Sequence, residues 1–460
     1  MTSHVSSGSV GAPGTGLPTA ADVVQNLPWR WRVQGRIFLI GGLGFMFDAW
    51  DVTLNGVLIP LVSKEWALDR PTAGLLSTAN LVGMALGAFV WGAIADRIGR
   101  KAAFSATLLV FSVFTLAGAL APDFLWFCIF RFVAGFGLGG AIPVDYALVG
   151  EFAPTKQRGK VLTAMDGWWP IGAALCFFVS ALIQMFTSNW RLILVVMVIP
   201  ALMVFWIRRS VPESPLFLLS KGKPDAARGV IDRLVKDTGA PATEYTLPPA
   251  EAPPRFTWRT LTDQFSEIWR FNWRVTASNW LLFLTILLVY YLALNWMPSI
   301  LIEAGMQAQT ALFANGAMAA VGLLGVVVAA VLVERTGRKW ILAITGPLSA
   351  ALLAIVAYSL GTPPAAVTWL LVFGFVIQIA IPVLYAYVSE LYPTDLRGRG
   401  FGWASTFSRL GAGFGPLIFA TALWPTIGLA NSFWVAGAMV LVAVVIMAFV
   451  SPETRAKALR

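Results

Sequence analysis

From about residue 35 onward the chain alternates between long apolar runs and short polar ones. A helix needs about 20 predominantly apolar residues, each rising 1.5 Å, to cross the hydrocarbon core of a bilayer. Twelve runs meet that length: 35–62, 73–95, 102–120, 124–149, 159–186, 191–208, 275–300, 310–333, 339–360, 366–389, 400–423 and 428–450. The pattern therefore predicts an all-α membrane protein of twelve transmembrane helices. Residues 1–34 read as a flexible tail whose first 28 positions are rich in Ser, Gly, Pro and Thr, with no apolar core and no cleavage signature of a signal peptide. Residues 209–273 are a Pro- and charge-rich linker with amphipathic stretches such as LTDQFSEIWR, and residues 451–460 form a second tail.

Composition agrees: 58% of side chains are hydrophobic, 12% are charged, and the mean hydropathy is +0.74, outside the range of soluble domains. The distribution of Lys and Arg sets the orientation, because cytoplasmic loops retain basic residues. Arg30, Arg97, Lys101, Lys156, Arg335, Arg399 and Arg455, with their basic neighbours, all fall on one side. The loops of the other side carry only Lys64, Arg70 and Arg191. Both termini are expected to be cytoplasmic, in the plasma or inner membrane. The net charge of +10 is then spread over short loops between spans, which argues against a nucleic-acid partner. Cys128 and Cys176 lie in apolar runs and the single histidine, His4, lies in the tail. No disulfide framework or metal-ligand spacing results, no cofactor is expected, and an enzyme would lack both base and nucleophile.

The chain repeats itself. DRIGRK from Asp96 returns as ERTGRK from Glu334, EFAPTKQRG from Glu151 returns as ELYPTDLRG from Glu390, and PES at Pro212 returns as PET at Pro452, with offsets of 238, 239 and 240 residues. Two pseudo-symmetric six-helix halves follow, at 35–208 and 274–450. These loop motifs resemble those of the major facilitator superfamily, in its sugar-porter-like branch, over about residues 35–455. FDAWD in the first span, YYLALNWMPSIL in the seventh and VLYAYVSELYPTDLRG in the tenth are most similar to bacterial niacin transporters and related aromatic acid/proton symporters. The resemblance implies a carrier that rocks one half against the other around a central site. The repeated charges Asp96, Arg97, Arg100, Glu151 and Arg158, and their counterparts Glu334, Arg338, Glu390 and Arg397, are then expected at a cytoplasmic gate. Glu151 with Arg158, and Glu390 with Arg397, bracket a proline turn where opposite charges can clamp. Asp96 is placed to cap a neighbouring helix. The plainer reading is that these residues only satisfy helix ends.

Charges present in one half alone need another explanation. Asp48, Asp51, Arg131, Asp145, Asp166 and Arg409 fall inside apolar spans and have no charged counterpart at the repeat offset. An ionisable group at mid-membrane costs about 2.5–3.5 kcal/mol on insertion scales, so such groups face a partner or a wet cavity. Counting rises puts Asp48 about 20 Å along the first span, Arg409 about 14 Å into the eleventh and Arg131 about 10 Å below the outer surface. Asp48 and Asp51 share a helix face. The sugar-porter-like pattern has an acid at the Asp48 position and an arginine at the Arg131 position, and in proton-coupled members these form the coupling pair, which nominates Asp48, Asp51 and Arg131 for proton coupling. A carboxylate beside arginine stays ionised, and withdrawing the arginine in a dry site favours proton uptake. A static ion pair that only positions helices is the alternative.

Arg409 presents a planar fork suited to a carboxylate, so an anionic substrate is its expected partner; an internal pair with Asp166, Asp145 or Asp48 would also satisfy it. Asp166 matches a position where the resemblance implies a substrate contact, whereas Asp145 is left between a cavity role and a gate partner. Trp169, Tyr290, Tyr291, Asn295, Gln378, Tyr385 and Trp403 complete the expected substrate site, because rings with a polar edge can stack on a flat ligand and hydrogen-bond it. GFGLGG at 135–140 fits a nucleotide-loop pattern but lies inside a span, which predicts a close-packing surface instead. The expectation is a proton-coupled uptake symporter of a small organic anion, nicotinate-like or another aromatic carboxylate, working as a monomer with membrane lipid around it. A sugar or sugar-acid symporter or an uncoupled facilitator is the alternative within transport, and a membrane receptor or scaffold is the alternative outside it.

Overall fold

The computed structural model describes residues 17–241, 243–247, 258–393 and 396–454. The described chain folds into helices, twelve of which are long and apolar enough to cross a membrane. A short α1 (Ala20–Gln25) precedes the first half, which contains α2 (Arg36–Trp66), α3 (Arg70–Ile98), α4 (Arg100–Gly118), α5 (Phe124–Phe152), α6 (Thr155–Asp166) with α7 (Trp168–Phe186), and α8 (Arg191–Val195) with α9 (Val198–Ser210). Two short helices, α10 (Pro215–Ser220) and α11 (Pro224–Thr238), precede the second half: α12 (Trp258–Glu303), α13 (Ala308–Thr336), α14 (Arg338–Tyr358), α15 (Pro363–Glu390), α16 (Arg397–Ile418), α17 (Trp424–Ile427) and α18 (Leu429–Val450).

The fifth span, predicted over 159–186, runs Gln157–Phe186, with α6 and α7 meeting at Gly167, whose backbone stays helical (φ −65°, ψ −22°). The amphipathic stretch at the end of the linker forms a helix of its own within α12, which joins two helices across a kink at Asn272, where the backbone is extended (φ −164°, ψ 94°).

Helix ends follow the sequence closely. Asp69 and Asp123 cap α3 and α5 by accepting from Thr72 N and Trp126 N, each at 3.0 Å. The two repeated loops turn on Gly99 (φ 99°) and Gly337 (φ 88°), a backbone region that costs a side-chain-bearing residue. The repeated PES and PET motifs then complete the turn: Glu213 accepts from Lys101 N at 3.2 Å, and Glu453 accepts from Arg338 N and Lys339 N at 3.1 and 3.0 Å. Each carboxylate thereby satisfies orphan N–H groups at a helix start, where its charge is also favoured.

Glu213 of the linker and Glu453 of the C-terminal segment meet these loops, so they lie on one face, called the terminal face below, and the opposite one is the far face. The GFGLGG stretch is a packing surface, as its setting predicts: a Cβ on Gly135 or Gly139 would stand 2.0 Å from Asn80 O or Met84 O of α3. The bonds that join the two halves lie at the far face or at mid-depth. They include Arg70 with Glu303 at 2.5 Å, Ser77 Oγ to Asn295 Oδ1 at 2.9 Å, Thr78 Oγ1 to Gly413 O at 2.8 Å and Gln309 Nε2 to Gln184 O at 3.2 Å. Between them α2 crosses α12 so closely that a Cβ on Gly56 would stand 1.9 Å from Leu294 O.

Candidate functional site

Asp51 sits in a fully buried polar cage. Arg131 of α5 donates from Nη1 to Asp51 Oδ1 at 2.7 Å and to Thr115 Oγ1 at 3.1 Å. From Nη2 it donates to Asp51 O at 2.8 Å and to Asn55 Oδ1 at 2.9 Å. Thr115 Oγ1 of α4 adds a 2.6 Å bond to Asp51 Oδ1, and Asn80 of α3 reaches Asp51 Oδ2 at 3.4 Å and Arg131 O at 3.2 Å. Four helices of the first half are pinned by this one acid and one base.

The sequence expectation made Arg131 the partner of Asp48; in the structure its partner is Asp51. The reason is axial position. Arg131 enters from the far-face end of α5, and Asp51 stands about 4.5 Å nearer that face along α2 than Asp48 does. Asp48 is also 0% exposed, yet neither of its carboxylate oxygens has a hydrogen-bond partner among the described residues. The charges it feels are Asp51 and, from the other half, Arg409. Asp145 of α5 is equally buried and equally without a donor. Asp166, at the end of α6, accepts the hydroxyl of Tyr146.

On the second half, Arg409 of α16 is 8% exposed and forms no hydrogen bond or ion pair among the described residues. Its charge is felt by Tyr291 of α12, Tyr385 of α15 and Asp48 of α2. Tyr290 OH accepts from Trp169 Nε1 at 3.0 Å and from Gln378 Nε2 at 3.1 Å, so one hydroxyl joins α7 of the first half to α12 and α15 of the second. Tyr385 is half-buried, stacked on Phe283 at 5.3 Å and edge-on to Phe401 at 5.6 Å.

Of the expected substrate residues, the structure thus brings Arg409, Tyr290, Tyr291, Tyr385, Gln378 and Trp169 around one region between the halves. Two others lie elsewhere. Asn295 is committed to the far-face seam, accepting from Ser77 and donating to Tyr291 O at 2.7 Å. Trp403 belongs to an aromatic cluster with Phe89, Phe265 and Trp280 about two turns before Arg409 on α16, because the first turns of α12 fold back onto that end of the helix. Thr115, Asn55, Asn80 and Tyr146 escaped the sequence reading. Asn55 and Asn80 are amides inside apolar spans, Asn55 one turn from Asp51, and that was their available signal.

The repeated loop charges also pair differently from expectation. Glu390 is held by Arg338 through Nε and Nη2, both at 3.1 Å, with Glu334 at 3.2 Å from the same guanidinium. Glu151 lies 3.7 Å from Arg100, its counterpart pair. Arg158 and Arg397, expected to clamp these acids across the proline turn, leave their Nε atoms without acceptors among the described residues. The arginine at the start of the third helix of each half reaches the acid first, since the loop glycine turns it back toward the bundle. Arg97 is exposed, and the side chain of Asp96 lies outside the described part of the structure. Helix capping at this loop is the work of Glu213 and Glu453.

Comparison with known proteins accords with this architecture. A sequence profile of the Major Facilitator Superfamily matches residues 41–416 and 324–460. The chain is 32% identical over 444 residues to the niacin transporter NiaP of Acinetobacter baylyi, covering 95% of this chain and 98% of that protein. To the benzoate transport protein of the same species it is 29% identical over 414 residues, covering 85% and 83%. Its backbone is similar to that of the xylose transporter XylE from E. coli in a partially occluded inward open conformation, with a TM-score of 0.74, 20% identity and coverage of 93% and 99%.

Proposed function

Because the chain belongs to the major facilitator superfamily and is an integral membrane transporter of small molecules, we propose that it takes up a small aromatic carboxylate, nicotinate-like, together with protons. The observation that carries this reading is Arg409: a buried guanidinium that, among the described residues, has no partner, and whose charge is felt by Tyr291 and Tyr385 of its own half and by Asp48 of the other. A substrate carboxylate docks bidentately on its fork, and the aromatic ring of the substrate lies against Tyr291 and Tyr385. The relatives' names, niacin and benzoate, describe molecules of this kind.

The same geometry supplies a coupling rule. While Asp48 is ionised, it competes with the substrate for the charge of Arg409. A proton on Asp48 removes that competition, so proton and anion favour each other's binding, and the preference is reciprocal. The Asp51–Arg131 cage holds α2 against α3, α4 and α5 so that Asp48 stays directed at the other half. The bonds between halves at the far face support a shape closed there, and the loop networks of Arg100 with Glu151 and Arg338 with Glu390 support a gate on the terminal face. We place that face in the cytoplasm, on the positive-inside rule, of a cell membrane where the protein works as a monomer among lipids.

The test is uptake of labelled nicotinate, benzoate and a hexose into proteoliposomes with and without a pH gradient. Saturable uptake of an aromatic acid that depends on the gradient is expected. Uptake of the hexose alone would move the substrate class to sugars, and acid uptake indifferent to the gradient in the wild type would make the protein a facilitator.

A further inference from the structure

Asp145 has no part in the Asp51–Arg131 cage, yet it is 0% exposed and, among the described residues, both of its carboxylate oxygens lack a donor, as do those of Asp48. The two acids stand on facing helices. Asp145 Oδ2 lies 3.1 Å from the point where a Cβ on Gly44 would be, and Gly44 is one turn before Asp48 on α2, about 6 Å along the helix axis. Asp145 feels the charge of Asp48, and Asp48 in turn feels Arg409. Two buried carboxylates without donors are too costly to hold ionised together. A proton on either one removes the repulsion between them.

Asp51 and Asp166 differ from these two acids in having donors. Asp51 on α2 is saturated by Arg131, Thr115 and Asn80. Asp166 at the end of α6 is occupied by the hydroxyl of Tyr146, the residue next to Asp145. Tyr385 of α15 faces Arg409 and Asp166. Tyr146 also lines a cleft of about 330 Å³ formed with α1, Glu151 and Arg158 on the terminal face. That cleft thus reaches the neighbour of Asp145, whereas Asp48 feels the charge of Arg409 from the other half.

We propose that Asp145 and Asp48 form a proton-binding pair in which Asp145 is the exchange point with the terminal face and Asp48 the partner that senses the substrate through Arg409. The proton bound on an oxygen of Asp48 transfers to an oxygen of Asp145 and leaves as hydronium into the cleft, after which the emptied Asp48 reclaims Arg409. The inference rests on the proton-symport reading and deepens it by naming the second acid.

The experiment compares wild type, Asp145→Asn and Asp145→Glu in proteoliposomes with labelled nicotinate, subtracting protein-free liposomes to remove diffusion of the neutral acid. A gradient of about one pH unit sustains about tenfold accumulation for one proton per substrate. Asp145→Asn is expected to lose accumulation while still exchanging substrate across the membrane, and Asp145→Glu to accumulate. Protonophore-insensitive accumulation by the wild type, or accumulation on a sodium gradient alone, removes proton symport itself. A protonophore-sensitive wild type with an equally sensitive, equally accumulating Asp145→Asn leaves symport standing and overturns the role of Asp145. If Asp145→Asn neither accumulates nor exchanges, peptide mapping of the wild type after dicyclohexylcarbodiimide, an apolar reagent for protonated carboxyls, decides: label on Asp145 that falls as pH rises supports the pair, and an unlabelled Asp145 overturns it.

Discussion

Arg131 Nη1 donates to Asp51 Oδ1 at 2.7 Å, and neither side chain has any exposure. Removing one partner of such a pair strands the other charge in a dry interior, at a cost of about 3–5 kcal/mol. Asp51→Asn and Arg131→Met are therefore expected to lower thermal stability in detergent sharply. The double variant should recover part of the loss, because neither charge is left alone. Additive losses in the double variant, read from melting curves, would show that the two side chains act independently.

Arg409 stands without a partner at the junction of the halves. Hydrogen bonds to charged groups contribute about 1.5–3 kcal/mol, so Arg409→Ala should weaken nicotinate binding about 10- to 100-fold while leaving thermal stability near that of the wild type. Arg409→Lys keeps the charge without the fork and should fall between the two. Direct binding by calorimetry checks this, and an unchanged affinity in Arg409→Ala would remove the anion site from α16.

At Gly56 there is no room for a side chain, since a Cβ would stand 1.9 Å from the carbonyl oxygen of Leu294. Gly56→Val must push α2 from α12 when the far face is closed. Overpacking costs about 1–3 kcal/mol, which shifts the population toward the far-open shape about 5- to 150-fold. Labelling of a single cysteine introduced at Ser77, which bonds Asn295 in the closed seam, should become faster in Gly56→Val. Equal labelling rates would locate the closing contact elsewhere.

The Arg70–Glu303 pair bridges the same face at 2.5 Å, but both side chains are more than two-fifths exposed. Exposed pairs are worth about 0–1 kcal/mol and weaken with salt. Arg70→Ala is expected to change transport by no more than about fivefold, and less at high ionic strength. A larger, salt-independent loss would instead implicate the packing of Arg70 over Trp424, 4.1 Å from the ring centre.

Glu453 caps the start of α14 through Arg338 N and Lys339 N. Loss of such a cap costs about 0.5–2 kcal/mol. Glu453→Ala and its repeat counterpart Glu213→Ala, whose carboxylate accepts from Lys101 N, should each lower the melting temperature. Melting curves unaffected by either change would show that the loops are held by other contacts.

The twelve spans and the repeat were legible along the chain because each depends on a local rule. Bilayer thickness sets the length of an apolar run, one turn of helix sets which neighbours share a face, and a left-handed loop asks for glycine at Gly99 and Gly337. The list of buried charges was legible for the same reason, since a charge in an apolar run is conspicuous wherever its helix goes. Their partners were not. Whether Arg131 meets Asp48 or Asp51 depends on a difference of one helical turn between α2 and α5, and a single sequence contains no measure of how far one helix slides along another. Tertiary packing decided that Asp51 is neutralised, that Asp48 and Asp145 are left without donors among the described residues, and that the first turns of α12 draw Trp403 away. The sequence determined which residues could carry charge through the membrane; only the axial alignment of the helices decided which of those charges remain free to bind a proton or an anion.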